Sequence, residues 1–416
     1  MSNACHRRTT CRLCGSQSLS EVLSLAPTPP ANAFVSQAQL SETQPTFPLD
    51  IFFCDDCHHV QLLDVVDPSV LFENYVYVSG TSPVFVKHFE DYAGFIVETF
   101  APAYGTLAFD IGSNDGTLLK HFKALGFKVL GVDPAKDIAA QATADGIETI
   151  NGFFSADMAK DIRHSHGPAS VITANNVFAH IDDLGGVLDG VHDLLHDDGV
   201  FVLEVSYLVN VFENTLFDTI YHEHLAYHTV GPLMRFMAAH GMELIGAQRV
   251  SSHGGSLRAI AQKTGGPKPV GISVGDLIAL EHLLGLDKAE TYRDFGKRIN
   301  ALKEELSGLL REKKAEGRTI AAFGAPAKAT TLMYHFDIGP DLIDFIVDDS
   351  PLKQGLYSPG MHIPVVPSSA IYEKKPDDII ILAWNFADPI MEKHKAFQDA
   401  GGEFIVPLPN VAVHKN

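Results

Sequence analysis

The sequence is short of positive charge, and it has no apolar run long enough to span a membrane. In 416 residues there are 31 Lys and Arg against 51 Asp and Glu, which gives a net charge of −20 at pH 7. Because proteins bind nucleic acids and anionic membranes largely through Lys and Arg, this balance argues against both kinds of partner. The N-terminal stretch MSNACHRRTT is too polar for a secretory signal. We therefore expect a cytoplasmic protein of two or three domains.

Cysteine is also scarce, yet four of the five cysteines form two C-x-x-C pairs. Cys11 and Cys14 belong to CRLC, and Cys54 and Cys57 belong to CDDC. In a cytoplasmic chain such pairs indicate metal binding rather than disulfides, and four thiolates suit one tetrahedral Zn²⁺. We predict a structural zinc site in a small unit at 1–80. A redox dithiol is the alternative for either pair alone.

Residues 107–133 read as strand, glycine loop, helix and strand. Gly112 and Gly116 lie in the loop, where the missing Cβ lets the backbone pass close to a ligand. Asp110 ends the first strand and Asp133 ends the second. A carboxylate at the second position can accept hydrogen bonds from the hydroxyls of a ribose. The segment therefore predicts a nucleoside-binding βαβ unit.

The same loop lacks the G-x-G-x-x-G pattern of dinucleotide-binding proteins. It reads DIGSNDG instead, in which Asp110, Asn114 and Asp115 add acidic and amide groups. These groups suit a ligand with a cationic end, and S-adenosylmethionine (SAM) has a positive amino group and a positive sulfonium. Through DIGSNDG and GVDP, which ends at Pro134, the sequence resembles the class I SAM-dependent methyltransferases. A purely structural turn or an NAD site is the alternative.

A dense group of polar residues lies in YHEHLAYH, residues 221–228. Such a group makes a poor core and an unusual solvated face, and the H-E-x-x-H spacing of zinc proteases is absent. Proton transfer explains the density better, since histidine titrates near neutrality and a neighbouring carboxylate raises its basicity. A hydrogen-bonded structural cluster is the alternative. The polar members are Tyr221, His222, Glu223, His224, Tyr227 and His228.

Several further residues are candidates for a binding cleft. Glu204 lies inside an apolar strand, which is a costly place for a charge unless it faces a cleft. Arg258 follows two glycines in SHGGSLR, and Tyr75 and Tyr77 alternate as on one strand face. In FGAPAKATT, Lys328 and backbone amides at a helix start suit an anion such as a diphosphate. The alternatives are packing for the two tyrosines, a tight hairpin for SHGGSLR and an ordinary βα turn for Lys328.

The pattern of strands and helices divides the chain into three units. The zinc unit covers 1–80, a SAM-binding unit covers 81–264 and a second α/β unit covers 265–416. The middle unit should end in two antiparallel strands, at 242–250 and 256–261. We thus predict an α/β protein: a Rossmann-like class I methyltransferase domain between a small zinc-binding domain and a C-terminal α/β domain.

Taken together, the C-x-x-C pairs, DIGSNDG, YHEHLAYH, SHGGSLR and FGAPAKATT resemble the sugar C-methyltransferase family along essentially the whole chain. The resemblance implies SAM-dependent methylation at C-3′ of a nucleotide-linked 4-keto-deoxysugar, bound beside the C-terminal domain by a monomer or weak dimer. It implies that His224 is the base, that Tyr221 and Glu223 assist, and that Tyr75 and His180 line the pocket. It also makes Asn175 and Asn176, after the fourth strand of the methyltransferase domain, neighbours of the methyl donor.

The implied chemistry is consistent with the residue types. A carbon next to a ketone is acidic, so His224 could remove its proton while Tyr221 or His180 stabilises the enolate oxygen. An NAD-dependent sugar oxidoreductase is the alternative enzyme, and the missing G-x-G-x-x-G counts against it. A zinc-ribbon scaffold without enzymatic activity is a third hypothesis, which leaves YHEHLAYH unexplained.

Overall fold

The computed structural model describes residues 4–72, 80 and 83–416. Its first unit is a four-stranded antiparallel sheet in the order β11-β4-β3-β2, next to a separate pair of β1 and β5. Strand β11 comes from the YHEHLAYH segment, so the middle of the chain completes the sheet of the predicted zinc unit. The strands are β1 (Cys5–Arg7), β2 (Leu19–Thr28), β3 (Phe47–Cys54), β4 (Val60–Leu62), β5 (Asp64–Val66) and β11 (Ala226–Tyr227).

The middle unit contains a seven-stranded sheet in the order β12-β13-β10-β9-β6-β7-β8. Its first five strands along the chain are parallel, and β12 and β13 are antiparallel to their neighbours, as the sequence predicted. Helices cover parallel sheets on both faces, which explains the continuous apolar runs. The strands are β6 (Leu107–Ile111), β7 (Lys128–Asp133), β8 (Thr149–Asn151), β9 (Ala169–Asn175), β10 (Leu195–Ser206), β12 (Met242–Val250) and β13 (Ser256–Lys263).

The helices of the middle unit follow the predicted alternation with strands, and one short helix at Pro68–Phe72 precedes them in the zinc unit. Thr117–Ala124 is the helix after the glycine loop, and it begins directly after Gly116. The helices are α1 (Pro68–Phe72), α2 (Pro83–Phe100), α3 (Thr117–Ala124), α4 (Lys136–Ala144), α5 (Ala156–His166), α6 (Leu184–Leu194), α7 (Leu208–Glu213) and α8 (Val230–Ala239).

The C-terminal unit has a six-stranded sheet in the order β16-β15-β14-β17-β18-β19, parallel except for β19. Two helices, α9 (Ile272–Leu283) and α10 (Ala289–Ala315), lead into it. The strands are β14 (Ile320–Phe323), β15 (Phe345–Val347), β16 (Val365–Val366), β17 (Asp378–Ile381), β18 (Glu403–Val406) and β19 (Ala412–His414). The helices are α11 (Ala327–His335), α12 (Ala370–Lys374), α13 (Ala387–Lys393) and α14 (Lys395–Asp399).

The carboxyl ends of both parallel sheets open into one cavity. Loops that follow β6, β7, β8 and β9 line it from the middle unit, and loops that follow β14, β15 and β17 line it from the C-terminal unit. In the middle sheet the strand order reverses between β6 and β9, which is where open α/β sheets bind ligands. Among residues 4–72, 80 and 83–416, no helix combines the length and apolarity needed to cross a lipid bilayer.

Candidate active site

The shared cavity has a volume of about 940 Å³, and it brings together most of the residues predicted from sequence. Gly116 and Arg258 are not part of its lining. Tyr75 and Tyr77 lie outside the described residues. The predicted residues that do line it are Asp110, Gly112, Asn114, Asp115, Asp133, Pro134, Asn175, Asn176, His180, Tyr221, Glu223, His224 and Lys328.

The two loop glycines are required by backbone conformation and by packing within the protein. Gly112 has φ 70° and Gly116 has φ 72°, a region that favours glycine. A Cβ on Gly112 would lie 2.3 Å from Cγ2 of Val177, and one on Gly116 would lie 2.7 Å from Cγ2 of Ile147. Gly116 therefore allows the loop to pack against Ile147, outside the cavity lining, whereas Gly112 packs against Val177 and also lines the cavity.

Two carboxylates at strand ends define the polar side of the cavity in the middle unit. Asp110 accepts a hydrogen bond from Oγ1 of Thr173 at 2.6 Å, and burial raises its pKa to about 7. Asp133 accepts backbone N–H groups of Asn114 and Ala135, both at 2.9 Å, and burial raises its pKa as well. These hydrogen bonds from the backbone orient the Asp133 carboxylate, and each of its oxygens keeps a second lone pair that can accept a hydrogen bond from a ligand hydroxyl.

This side of the cavity fits SAM. Buried carboxylates gain from a cationic partner, because the partner offsets their desolvation. Asp110 and Asp133 would hold the cofactor, with Ser113, Asn114 and Asn176 around them.

Three rings from two segments form the centre of the lining. His180 and His224 stack with centroids 5.0 Å apart and an interplanar angle of 25°, and Tyr221 lies 4.2 Å from His224. Nδ1 of His224 lies 2.7 Å from the carbonyl oxygen of Thr219. Burial lowers the pKa of His224 to about 4 and the pKa of His180 well below its ordinary value. Both imidazoles are therefore neutral near pH 7, the form that can accept a proton.

Glu223 receives its hydrogen bond from a residue that sequence reasoning missed. Nδ2 of Asn32 donates to Oε1 of Glu223 at 2.9 Å, and both side chains line the cavity. Burial raises the pKa of Glu223 to about 7, and the bond from Asn32 opposes that rise. Asn32 lies in the proline-rich stretch of the zinc unit, and nothing in its local pattern pointed to the site.

Some residues of YHEHLAYH line the cavity and others are buried in the core. The polarity of the segment therefore does not show that every residue in it takes part in the reaction. His222, Tyr227 and His228 are buried outside the lining. Nε2 of His222 contacts the carbonyl oxygen of Phe47 at 3.1 Å, and the His228 ring packs 5.6 Å from His59. The expectation that the segment would make a poor core is wrong for these three residues.

The expectation that Glu204 faces a cleft is also wrong. Its carboxylate accepts Nε of Arg258 at 2.6 Å and contacts Nε2 of His88 at 2.7 Å. Glu204 and Arg258 are paired across β10 and β13, and the guanidinium also stacks over the rings of Tyr92 and Phe95. Because the Arg258 guanidinium is held in this buried ion pair, it does not reach the cavity lining.

Lys328 supplies positive charge on the C-terminal side of the cavity, in the first turn of α11. Its Nζ lies 2.7 Å from Oδ1 of Asn385 and 3.4 Å from the centroid of the Trp384 ring. Burial lowers its pKa to about 8, and the negative charge of Asp218 opposes that shift. Lys353, which sequence reasoning missed, is a second lysine on the lining.

The four paired cysteines converge at a separate site in the zinc unit. Their sulfur atoms all lie within 4.8 Å of one another, with Sγ of Cys11 3.5 Å from Cys57 and Sγ of Cys14 3.6 Å from Cys54. Zn–S bonds of about 2.3 Å in a tetrahedron place sulfurs about 3.8 Å apart. Four thiolates therefore fit Zn²⁺ with no open position, as a structural site requires. Cys5 is not part of this group.

Comparisons with known proteins cover each part of the chain. Residues 11–72 match a zinc binding domain model, 91–246 match a methyltransferase domain and 251–409 match a C-methyltransferase C-terminal domain. The C-methyltransferase NovU of Streptomyces niveus is 35% identical over 403 residues, 97% of this chain and 96% of that protein.

Solved methyltransferase structures are much more distant. Magnesium protoporphyrin IX methyltransferase of Synechocystis PCC 6803, with bound SAH, is 12% identical with a TM-score of 0.33 and covers 43% of this chain and 83% of that one. The CcbJ methyltransferase of Streptomyces caelestis is 15% identical with a TM-score of 0.33 and covers 42% of this chain and 89% of that one.

Proposed function

This chain belongs to the C-methyltransferase family that includes NovU, and it is a SAM-dependent C-methyltransferase. From that premise we propose that its acceptor is a nucleotide-linked 4-keto-deoxysugar, which it methylates at C-3′. One observation carries the proposal. The carboxylates at Asp110 and Asp133, the His180–His224 stack and the half-buried Lys328 all line the same cavity. It therefore combines a place for a cationic methyl donor, a base and a place for an anion.

The anionic end of the acceptor would bind on the C-terminal side. In a chain of net charge −20, an anion needs a local cationic site. Lys328 and Lys353 both line the cavity there. Lys328 also lies in the first turn of α11, where backbone N–H groups favour negative charge. A nucleotide diphosphate has the charge and the hydrogen-bond acceptors that these groups need.

The keto sugar would then lie against His224. Nδ1 of His224 donates to the carbonyl of Thr219, so Nε2 carries the lone pair that removes the C-3′ proton. His180 or the hydroxyl of Tyr221 would stabilise the developing charge on the ketone oxygen. Bound SAM supplies an electrophilic methyl group, which the nucleophilic carbon receives.

Glu223 would assist by charge. Its pKa of about 7 means that ionised and protonated forms coexist near neutral pH. The ionised form would stabilise the imidazolium that forms on His224, and the hydrogen bond from Asn32 favours that form. Tyr75 remains a predicted member of the same pocket, and Tyr77 a predicted contact of the substrate.

The test begins with mass spectrometry of the purified protein for a bound nucleotide sugar, followed by assays of that class of compound with SAM. We expect the product to have one added methyl group, bonded to carbon. We also expect the C-3′ proton to exchange with solvent in D₂O, and His224→Asn to abolish this exchange. Calorimetry with SAM and with NADH tests the oxidoreductase alternative. Methylation on oxygen, no exchange, or binding of NADH in place of SAM would each contradict the proposal.

A further inference from the structure

Arg12 joins the cysteine site to the cavity. It lies between Cys11 and Cys14, and only 5% of it is exposed. Its Nη1 donates to Oε1 of Gln61 at 3.1 Å and to the carbonyl oxygens of Leu62 and Leu225, each at 3.0 Å. Its Nε and Nη2 donate to Oδ1 of Asp182 at 3.2 and 3.1 Å. The side chain thus binds two segments of the middle unit.

Those two segments are the ones that present the His180–His224 stack. Asp182 is two residues after His180, and Leu225 directly follows His224. The backbone N–H of Leu225 also donates to the carbonyl oxygen of Ala179 at 2.8 Å, so the segments are joined to each other. The guanidinium binds this joined pair from the zinc unit.

We propose that Arg12 is a positioning residue, which transmits the rigidity of the zinc-bound C-x-x-C turn to the His180–His224 stack. The inference rests on the proposed function, because it gives His224 its chemical role. Strand β11 pairs with β4 at two positions, and the backbone N–H of Leu62 also donates to the carbonyl oxygen of Leu225 at 3.0 Å. Arg12 adds side-chain bonds to Asp182 and Leu225 that this backbone pairing does not supply. A planar guanidinium with several fixed donors can hold both segments at once, which a lysine cannot. A base displaced by about 1 Å can lose about 100-fold in rate.

Arg8 provides a matched control. Its Nη1 donates to Oδ1 of Asp182 at 2.9 Å and to the carbonyl oxygen of Asp182 at 3.2 Å, so it shares the partner Asp182 with Arg12. Among the described residues it makes no hydrogen bond to Leu225, and it lies outside the C-x-x-C turn. Loss of Arg8 therefore removes part of the contact between the zinc unit and Asp182, but it leaves the bond from Arg12 to Leu225, the residue after His224, intact.

The experiment compares Arg12→Met, Arg12→Lys and Arg8→Met in the full-length holoprotein. We measure zinc per chain, SAM affinity, kcat, KM and the ¹⁵N resonances of histidine rings, with the His224 signal identified by its loss in His224→Asn. We expect Arg12→Met to keep its zinc and its SAM affinity within about twofold, to lower kcat about 10- to 100-fold and to shift the His224 signal. Arg12→Lys should fall in between, and Arg8→Met should stay within about twofold of wild type.

Two results would overturn the positioning role: an unchanged kcat with an unchanged His224 signal, or an equal loss of zinc, SAM affinity and kcat, which would indicate a purely structural role. If Arg12→Met does not fold, Arg12→Lys decides by the same measurements. Normal turnover by His224→Asn would instead refute the proposed role of His224 as the base. The shift of the His224 ring signal in the Arg12 variants would still test whether Arg12 positions that ring.

Discussion

The carbonyl oxygen of Thr219 accepts a hydrogen bond from Nδ1 of His224 over 2.7 Å. A carbonyl can only accept, so this contact selects one tautomer of the neutral ring and places the lone pair on Nε2. Burial keeps that ring neutral, because it lowers the pKa to about 4. The backbone of one short segment therefore prepares the imidazole as an acceptor of protons before any substrate binds.

Replacement of His224 by Asn should abolish the proposed proton transfer. We expect turnover to fall by at least about 100-fold, since general-base catalysis contributes about that much or more. SAM affinity should stay within about twofold, because Asp110 and Asp133 are unchanged. Calorimetry and a single-turnover methylation assay measure the two quantities separately.

His222→Gln is the matched control from the same YHEHLAYH segment. His222 is buried outside the cavity lining, and a glutamine can still donate to the carbonyl of Phe47. We expect lower thermal stability with turnover within a few-fold of wild type. Equal losses of turnover in His222→Gln and His224→Asn would mean that the segment matters only for folding.

The affinity for SAM should depend on pH through Asp110. Because burial raises the pKa of Asp110 to about 7, the carboxyl is increasingly protonated and neutral below that pH. A cationic ligand binds the ionised form better, so the Kd for SAM should rise as pH falls, by up to about tenfold per pH unit below 7. Calorimetry from pH 5.5 to 8.5 measures this dependence.

Asp110→Asn should weaken binding at pH 8 and flatten the pH dependence, because the amide does not titrate. Any remaining slope would come from Asp133, whose pKa burial also raises. Asp145→Asn, a change after the end of α4 and away from the cavity, should keep the wild-type profile. A wild-type slope in Asp110→Asn would exclude Asp110 as the group that titrates.

The elements that sequence patterns predicted well are those with local causes. Parallel strands are buried on both faces and so appear as short apolar runs, which made β6, β7 and β9 recognisable. The C-x-x-C spacing by itself places two thiolates close together, so each pair can be recognised from sequence. That the two pairs come together at one site depends on the fold. Membership of the family could be recognised for the same reason, because its motifs are short local patterns.

The contacts that escaped prediction depend on residues far apart in the sequence. Asn32 and Glu223 are 191 residues apart, and no period in the intervening chain relates them. The cleft predicted for Glu204 is wrong because its partner Arg258 becomes a neighbour only through the register of β10 and β13. In 221–228 the backbone is largely irregular, so spacing could not show which histidine faces the cavity.

Loss of one cysteine ligand should release the zinc. We expect Cys14→Ser to bind less than one zinc per chain and to unfold at a temperature lower by about 10 °C or more, because structural zinc contributes many kcal/mol to folding. Cys5→Ser is the control, since Cys5 lies outside the cysteine cluster and should keep one zinc. Elemental analysis and calorimetry give both quantities. A full zinc content in Cys14→Ser would contradict the four-cysteine site.

Lys328 should matter for the acceptor and not for the cofactor. Lys328→Gln removes a half-buried cation from the C-terminal side of the cavity. KM for a nucleotide-linked acceptor should therefore rise about 10- to 100-fold, the loss expected for one charged hydrogen bond. SAM affinity should not change, because the carboxylates that would hold it belong to the other sheet. Steady-state kinetics and calorimetry measure the two effects.

Two further variants test whether the position of Lys328, and not the charge of the C-terminal unit, causes the effect. Lys314→Gln removes a lysine that pairs with Asp344 outside the cavity, and KM should stay at the wild-type value. Trp384→Phe keeps an aromatic ring beneath Nζ but loses the Nε1 hydrogen bond, 2.6 Å long, to Asp218. It should raise KM by a smaller factor than Lys328→Gln, because the lysine remains and only its support weakens. An equal rise of KM in Lys314→Gln would show that long-range charge, and not a bound diphosphate, explains the dependence.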